Sequence, residues 1–260
     1  MSAAGTTVTC GWPTDAVAEL TLRRPHRHNA VDEQLVEDLH AALHEAELGG
    51  AAALLLVGEG PSFCSGHDLA APAMSAEDTR RHVERLQDVS RILRAGVPSV
   101  AAVHGYALGA GFELALSCDL VVAAEDARFG LPEVPMGLAI GGGASAVLVR
   151  AVGAQRARQL VLLGERFGAA RAAELGLVVE VAPLAAARDR ALALAQRLAE
   201  QPREALAVAK QLLQAVDDDE LEPAYERETE AMLAAAGSAE AEGAARTFAA
   251  AKRTDEERGR

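Results

Sequence analysis

Val100-Ala101-Ala102-Val103-His104-Gly105-Tyr106-Ala107-Leu108-Gly109-Ala110-Gly111-Phe112-Glu113-Leu114-Ala115-Leu116-Ser117 reads as an apolar strand, a turn of small residues and the start of a helix. Residues 54–69 repeat that design: the run Leu54-Leu55-Leu56-Val57 leads through Gly58-Glu59-Gly60-Pro61 to Phe63-Cys64-Ser65-Gly66-His67-Asp68-Leu69. Small residues let a ligand approach the main chain, and a helix start leaves unpaired N–H groups facing outward. Two such groups converging on one oxygen form an oxyanion hole, and the helix dipole adds to the pull on negative charge. Taken alone, either loop reads better as plain strand–helix packing. A nucleotide-binding reading fails, because Leu114 stands where a third glycine belongs. The run Gly141-Gly142-Gly143 also lacks a following Lys-Ser/Thr.

Outward from these segments the pattern is α/β. Residues 18–22 alternate as a short strand, and residues 31–43 carry apolar side chains at helical spacing with Asn29 as the expected N-cap. Residues 52–57 form a buried strand. A helix bearing Val83, Leu86, Val89, Ile92 and Leu93 on one face precedes the strand 99–104. A short helix follows over 112–118, then strands over 120–124 and 177–181. Beyond that the chain is almost wholly helical, so a core is expected over 1–195 and a helical segment for packing and oligomerisation over 196–260, ending in a solvated tail from Lys252.

Composition narrows the function classes. Half of the 260 residues are apolar but only 3% are aromatic, so aliphatic side chains and alanine must build the core. Three widely spaced cysteines, Cys10, Cys64 and Cys118, argue against a disulfide framework and for a reducing cytoplasm. Residues 1–9 show no signal-peptide pattern and the longest apolar run, 51–57, is too short to span a bilayer. A net charge of −13 disfavours nucleic acid or an anionic membrane as partner. The cluster Arg23, Arg24, His26, Arg27 and His28 still offers a local basic site.

Two carboxylates stand in apolar surroundings, Glu113 on the short helix and Glu133 in Phe129-Gly130-Leu131-Pro132-Glu133-Val134-Pro135. Apolar burial raises a carboxyl pKa toward neutrality, which suits general acid/base work. Two such groups at one substrate could divide it, one activating water and one delivering a proton. Other candidates read as structural. His40 and His44, four apart, lack a third metal ligand, Cys64 lacks an identifiable base, Asp68 reads as the cap of the next helix, and Asp119 ends the short helix.

Four blocks now carry a resemblance. They are Leu22-x-x-Pro25-x-x-x-Asn29-Ala30, Phe63-Cys64-Ser65-Gly66-x-Asp68-Leu69, His104-Gly105-Tyr106-Ala107-x-Gly109-x-Gly111-x-Glu113-Leu114-x-x-x-Cys118-Asp119 and Phe129-x-x-Pro132-Glu133-x-x-x-Gly137-Leu138. In order and spacing they resemble the crotonase superfamily of enoyl-CoA hydratases and isomerases, and the likeness runs on through residues 169–178 and 248–253.

The resemblance implies a crotonase-like spiral of ββα turns with a C-terminal helical trimerisation region. It implies trimers or dimers of trimers and an acyl-CoA thioester as substrate, with no metal or other cofactor beyond the coenzyme A the substrate carries. By position, the backbone N–H groups of His67 and Ala110 would form the oxyanion hole. Arg27, Asn29, Ala30, Ser65, Gly66, Asp68, Leu69 and Gly109 would contact substrate and CoA. Glu113 would activate water for attack at C3 and Glu133 would protonate C2, which makes hydration of a 2-enoyl-CoA the expected reaction. A 3,2-enoyl-CoA isomerase or related dehydratase is the alternative, and a non-catalytic acyl-CoA-binding module the remaining one. His67 and Ile140 depart from the commoner small residue and proline, and Lys252 lies one residue further from Phe248 than expected.

Overall fold

The computed structural model describes residues 6–71, 74–236 and 243. Leu54 and Leu56 point to one face of a strand while Leu55 and Val57 point to the other, and all four are buried. Such a strand must be covered on both sides, which is the signature of a parallel sheet. The elements in chain order are β1 (Val8–Thr14), β2 (Val17–Leu22), α1 (Glu33–Leu48), β3 (Ala53–Gly58), α2 (Ala76–Ala95), β4 (Ser99–Val103), β5 (Tyr106–Leu108), α3 (Ala110–Ser117), β6 (Leu120–Ala124) and β7 (Arg128–Gly130). They continue with α4 (Ala144–Val152), α5 (Ala154–Leu163), β8 (Phe167–Gly168), α6 (Ala169–Glu174), β9 (Glu180–Ala182), α7 (Leu184–Ala199) and α8 (Arg203–Ala236).

Six strands form the main sheet in the order β1-β2-β3-β4-β6-β9, parallel except for the β1–β2 hairpin. A second, smaller sheet has the order β5-β7-β8. After β4 the chain steps across to β5, and after β6 to β7; a bridge between Cys64 and Ala107 brings the segment after β3 to the same second layer. Each turn is thus a strand in one sheet, a short strand in the other and a helix, the expected spiral of ββα repeats.

One face of the main sheet packs Leu20, Leu22, Leu54, Leu56, Ala101 and Val121 against Leu35 and Leu39 of α1 and Leu86 and Leu93 of α2. The opposite face packs Val17, Leu55, Val100 and Val122 against Ala191 and Ala195 of α7. Each fully buried leucine contributes about 1.5–3 kcal/mol of transfer free energy. α8 leaves the sheet and crosses α2 and α4, so the change from sheet packing to helix packing falls at residues 200–202. Lys210 ties α8 down, its ammonium donating to Asp119 Oδ2 at 2.7 Å and to the carbonyls of Leu93 and Val97. Asp119 also accepts from the Ser99 amide at 2.8 Å, a structural role as expected.

Three local expectations need correction. The N-cap of α1 is Asp32, whose carboxylate accepts the Leu35 amide, whereas Asn29 adopts a left-handed backbone with φ 55°. Asp68 caps only a local turn, through the Ala70 amide, and Ser75 caps the next helix. The last strand of the main sheet is 180–182 rather than 177–181. Phe248 and Lys252, with the expected tail, lie outside the described residues. Among the described residues no helix is long and apolar enough to cross a membrane and no cluster of metal-ligating side chains occurs.

Candidate active site

Asn29 explains how the first loop is held. Its amide nitrogen donates to the carbonyls of Glu59, Ser62 and Phe63, while its oxygen accepts the Arg24 amide at 2.7 Å. The amide hydrogens and one lone pair of the oxygen of this buried side chain are thereby engaged inside the protein, so Asn29 shapes the loop. Next to it, Ser65 donates its amide to the His28 carbonyl and Val31 to the Gly66 carbonyl. Arg24 completes the clamp, pairing with both Asp32 and Asp68 at 2.9 Å and donating to the Ala30 carbonyl. Asp68 is therefore a partner of Arg24, while Ala30 is buried beneath the loop. Arg23 pairs with Glu59, which leaves half-buried Arg27 as the guanidinium of this cluster without an acid partner among the described residues.

The two small-residue loops meet. A β-carbon on Gly66 would lie 3.7 Å from the Gly109 Cα, and one on Gly109 would lie 3.8 Å from the Gly66 Cα. The bonds from Val31 N to Gly66 O and from Asp68 N to Val31 O flank residue 67 and leave its own amide facing the other way. Ala110 is the first residue of α3, where helix geometry gives the amide no internal partner. The amides of His67 and Ala110 thus each follow one member of a touching glycine pair.

Beside that pair lies a cavity of about 50 Å³ lined by Ser65, Gly66, His67, Leu69, Gly109 and Glu133, with Pro132, Met136, Leu138, Ala139 and Met232 as its apolar wall. Glu133 is buried, and its Oε2 has no hydrogen-bond partner. Burial lifts its pKa to about 7, with the nearby Glu228 adding to the rise. His67 is held down to about 3 by burial and by His82, so its imidazole is neutral. Its Nδ1 lies 3.3 Å from His82 Nε2.

Glu113 does not line this cavity. It is buried in the first turn of α3, and its Oε1 accepts the Gly142 amide at 2.8 Å and the Gly141 amide at 3.3 Å. Burial raises its pKa well above the ordinary carboxylate value, and the charges of Glu228 and Glu133 add to this. The two sequence-predicted acids therefore belong to one electrostatic cluster, although only Glu133 reaches the cavity surface.

The matching family is enoyl-CoA hydratase/isomerase, over residues 13–254. The chain belongs to the enoyl-CoA hydratase/isomerase family. The 2,3-dehydroadipyl-CoA hydratase of Escherichia coli is 39% identical over 222 residues, 83% of this chain and 86% of that protein. A probable enoyl-CoA hydratase of Mycobacterium tuberculosis is 37% identical over 225 residues, 86% of this chain and 88% of its own. Among solved structures, an enoyl-CoA hydratase from Mycobacterium avium subsp. paratuberculosis superimposes with a TM-score of 0.85 at 30% identity, covering 93% of this chain and 95% of that one.

For an enzyme of this family, three cavity-side features were missed from sequence. Met232 comes from α8, far along the chain, and Glu228 from the same helix is buried against the site. His82 contacts His67 from the buried face of α2. The spacing of His82 with Val83 and Leu86 was the available signal for its burial.

Proposed function

We propose that the protein is an enoyl-CoA hydratase, adding water reversibly across the 2,3 double bond of a 2-enoyl-CoA thioester. The thioester oxygen accepts the amides of His67 and Ala110, which stabilise the enolate charge as it develops. Glu113 takes a proton from water as the hydroxyl attacks C3, and Glu133 delivers its proton to C2. The thioester product leaves with one added water. Proton exchange then returns Glu133 to its acid form and Glu113 to its carboxylate. Oxidation state is conserved throughout, so coenzyme A need enter only as part of the substrate. Arg27 is the group offered to its phosphates, with the main chain at Ser65, Gly66 and Gly109 and the side chain of Leu69 along the thioester.

The observation that carries this reading is Glu133. An acid with a pKa of about 7 and one bare buried oxygen, in a cavity lined by His67 and by Gly109, the residue before Ala110, is poised to trade a proton with a bound carbon. The test is the turnover of purified protein on a panel of 2-enoyl-CoA esters, followed by loss of the conjugated double bond. Turnover that falls about 100-fold or more in both Glu113→Gln and Glu133→Gln is the expected result. Normal turnover in Glu133→Gln overturns the assignment.

One observation favours a second reading. Because Glu133 lines the cavity and Glu113 does not, a one-carboxylate 3,2-enoyl-CoA isomerase also fits. Conversion of a 3-enoyl ester to its 2-enoyl isomer by Glu113→Gln would select it.

We also propose a trimer or dimer of trimers in a reducing cytoplasm. Exposed Leu162 and Leu163 on α5 and Leu212 and Leu213 on α8 supply apolar surface for assembly, and the cysteines are free thiols. Light scattering on the purified protein tests the assembly, and a monomeric mass would refute it.

A further inference from the structure

A third glutamate, Glu228 of α8, is buried beside Glu113 and Glu133 but does not line the cavity. Its Oε2 accepts the Gly143 amide at 2.7 Å and its Oε1 the Ser145 amide at 2.8 Å. These donors lie at the N-terminal end of α4, where amides lack helical partners and the dipole favours an anion. Immediately before them, Gly141 and Gly142 donate to Glu113. One strip of chain, residues 141–145, is therefore gripped by a carboxylate from α3 at one end and a carboxylate from α8 at the other. Gln87 of α2 adds a third hold, donating to the Gly141 carbonyl at 2.7 Å and to Thr229 Oγ1 at 3.0 Å.

The strip fits without slack. A β-carbon on Gly142 would stand 2.7 Å from Glu113 Oε2, and one on Gly143 would stand 2.7 Å from the Tyr225 ring. Residues 141–143 have no side chains to set their position, so the partners of their amides do. We propose that Glu228 is a positioning residue that fixes residues 141–145 so that the Gly141 and Gly142 amides hold the Glu113 carboxylate in its working place. This rests on the hydratase reading.

A neutral serine or asparagine would cap α4 as well as a glutamate does. A third carboxylate in a dry cluster is a poor choice for a cap alone, because like charges there resist ionising together. The titratable and charged groups facing Glu228 are Glu113 from α3, Glu133 from the turn after β7, and Tyr225 and Arg227 from its own helix. Removing the Glu228 charge withdraws one cause of the raised Glu113 pKa, so the base should ionise at lower pH.

The test compares Glu228→Gln, Glu113→Gln and the double variant in full-length protein, with steady-state kinetics against pH and thermal unfolding. Displacing a catalytic group by about 1 Å can lower turnover on the order of 100-fold. The expected result for Glu228→Gln is a kcat loss of about tenfold to 100-fold with KM changed by less than about twofold. Its acid limb of kcat/KM should move to lower pH, and the double variant should be no slower than Glu113→Gln alone. If Glu228→Gln does not fold, Glu228→Asp keeps the charge but draws it back. It should lose kcat while the acid limb stays where the wild type has it. A kcat within about twofold of wild type in the variant that folds, or losses that multiply in the double variant, overturns the inference alone. Undiminished turnover in Glu113→Gln sinks the hydratase reading and this inference with it.

Discussion

Gly109 and Glu133 share one contact: a β-carbon on residue 109 would lie 2.5 Å from Oε1 of Glu133. Gly109 also has φ 50° and ψ −126°, a backbone region open to glycine and strained for any other residue. Both constraints act on the residue that directly precedes α3 and its first amide. Gly109→Ala should therefore move the Glu133 carboxyl and the Ala110 amide together. The expected outcome is a kcat loss on the order of 100-fold, with a stability loss of about 1–3 kcal/mol. Steady-state turnover and chemical denaturation read the two effects separately, and unchanged kcat would show that the contact does not constrain the site.

Glu133 should limit stability while supporting turnover. Its pKa rises from 4.5 to about 7 on folding, so between those values the folded protein binds more protons than the unfolded one. Stability must then fall as pH climbs through that window. At about 1.4 kcal/mol per pH unit the effect is bounded near 3 kcal/mol. Glu133→Gln removes this term, so it should be more stable than wild type at pH 8 and much closer to it at pH 4.5. Loss of a general acid should cost it about 100-fold to 10,000-fold in turnover. Urea melts at the two pH values give the stability difference, and a constant difference would refute the burial argument.

Arg24 is the hinge pin of the first loop. It is the shared partner of Asp32 and Asp68, and all three side chains are mostly sheltered from solvent. Arg24→Met removes the cation and leaves two carboxylates together, which should cost about 3–5 kcal/mol, the range for breaking a buried pair. Because the His67 amide depends on this loop, kcat should fall as well. Adding salt should restore little of the stability, since such pairs are poorly screened.

The parts of this protein legible in its sequence are those set by local periodicity. The alternation at Leu54 to Val57 and the helical spacing from Val83 to Leu93 each fixed an element, and the small residues at Gly66 and Gly109 marked the loops that meet. Glu113 and Glu133 stood out because acids among apolar neighbours are rare. What stayed hidden was long-range. Local pattern makes Asn29 a helix cap, whereas its side chain satisfies carbonyls some thirty residues away that no such pattern reveals. Glu228 and Met232 lie in a helix rich in alanine and glutamate, where one more glutamate carries no mark of burial. Only the crossing of α8 over α2 and α4 gives those two residues their place.

Arg27 offers a test of where coenzyme A's phosphates bind. Arg23 and Arg24 are occupied by Glu59, Asp32 and Asp68, so the cationic character of residues 23–28 rests on Arg27. The chain as a whole carries −13, so a polyanionic substrate approaches against an unfavourable field that one local cation must offset. Arg27→Ala should raise KM for an acyl-CoA by about threefold to tenfold, within the range for a single charge-assisted hydrogen bond. Turnover at saturation should hold, because the phosphates lie far from the reacting carbons. The wild-type KM should also depend more steeply on ionic strength than that of the variant. Equal salt dependence in the two proteins would mean that the phosphates bind elsewhere.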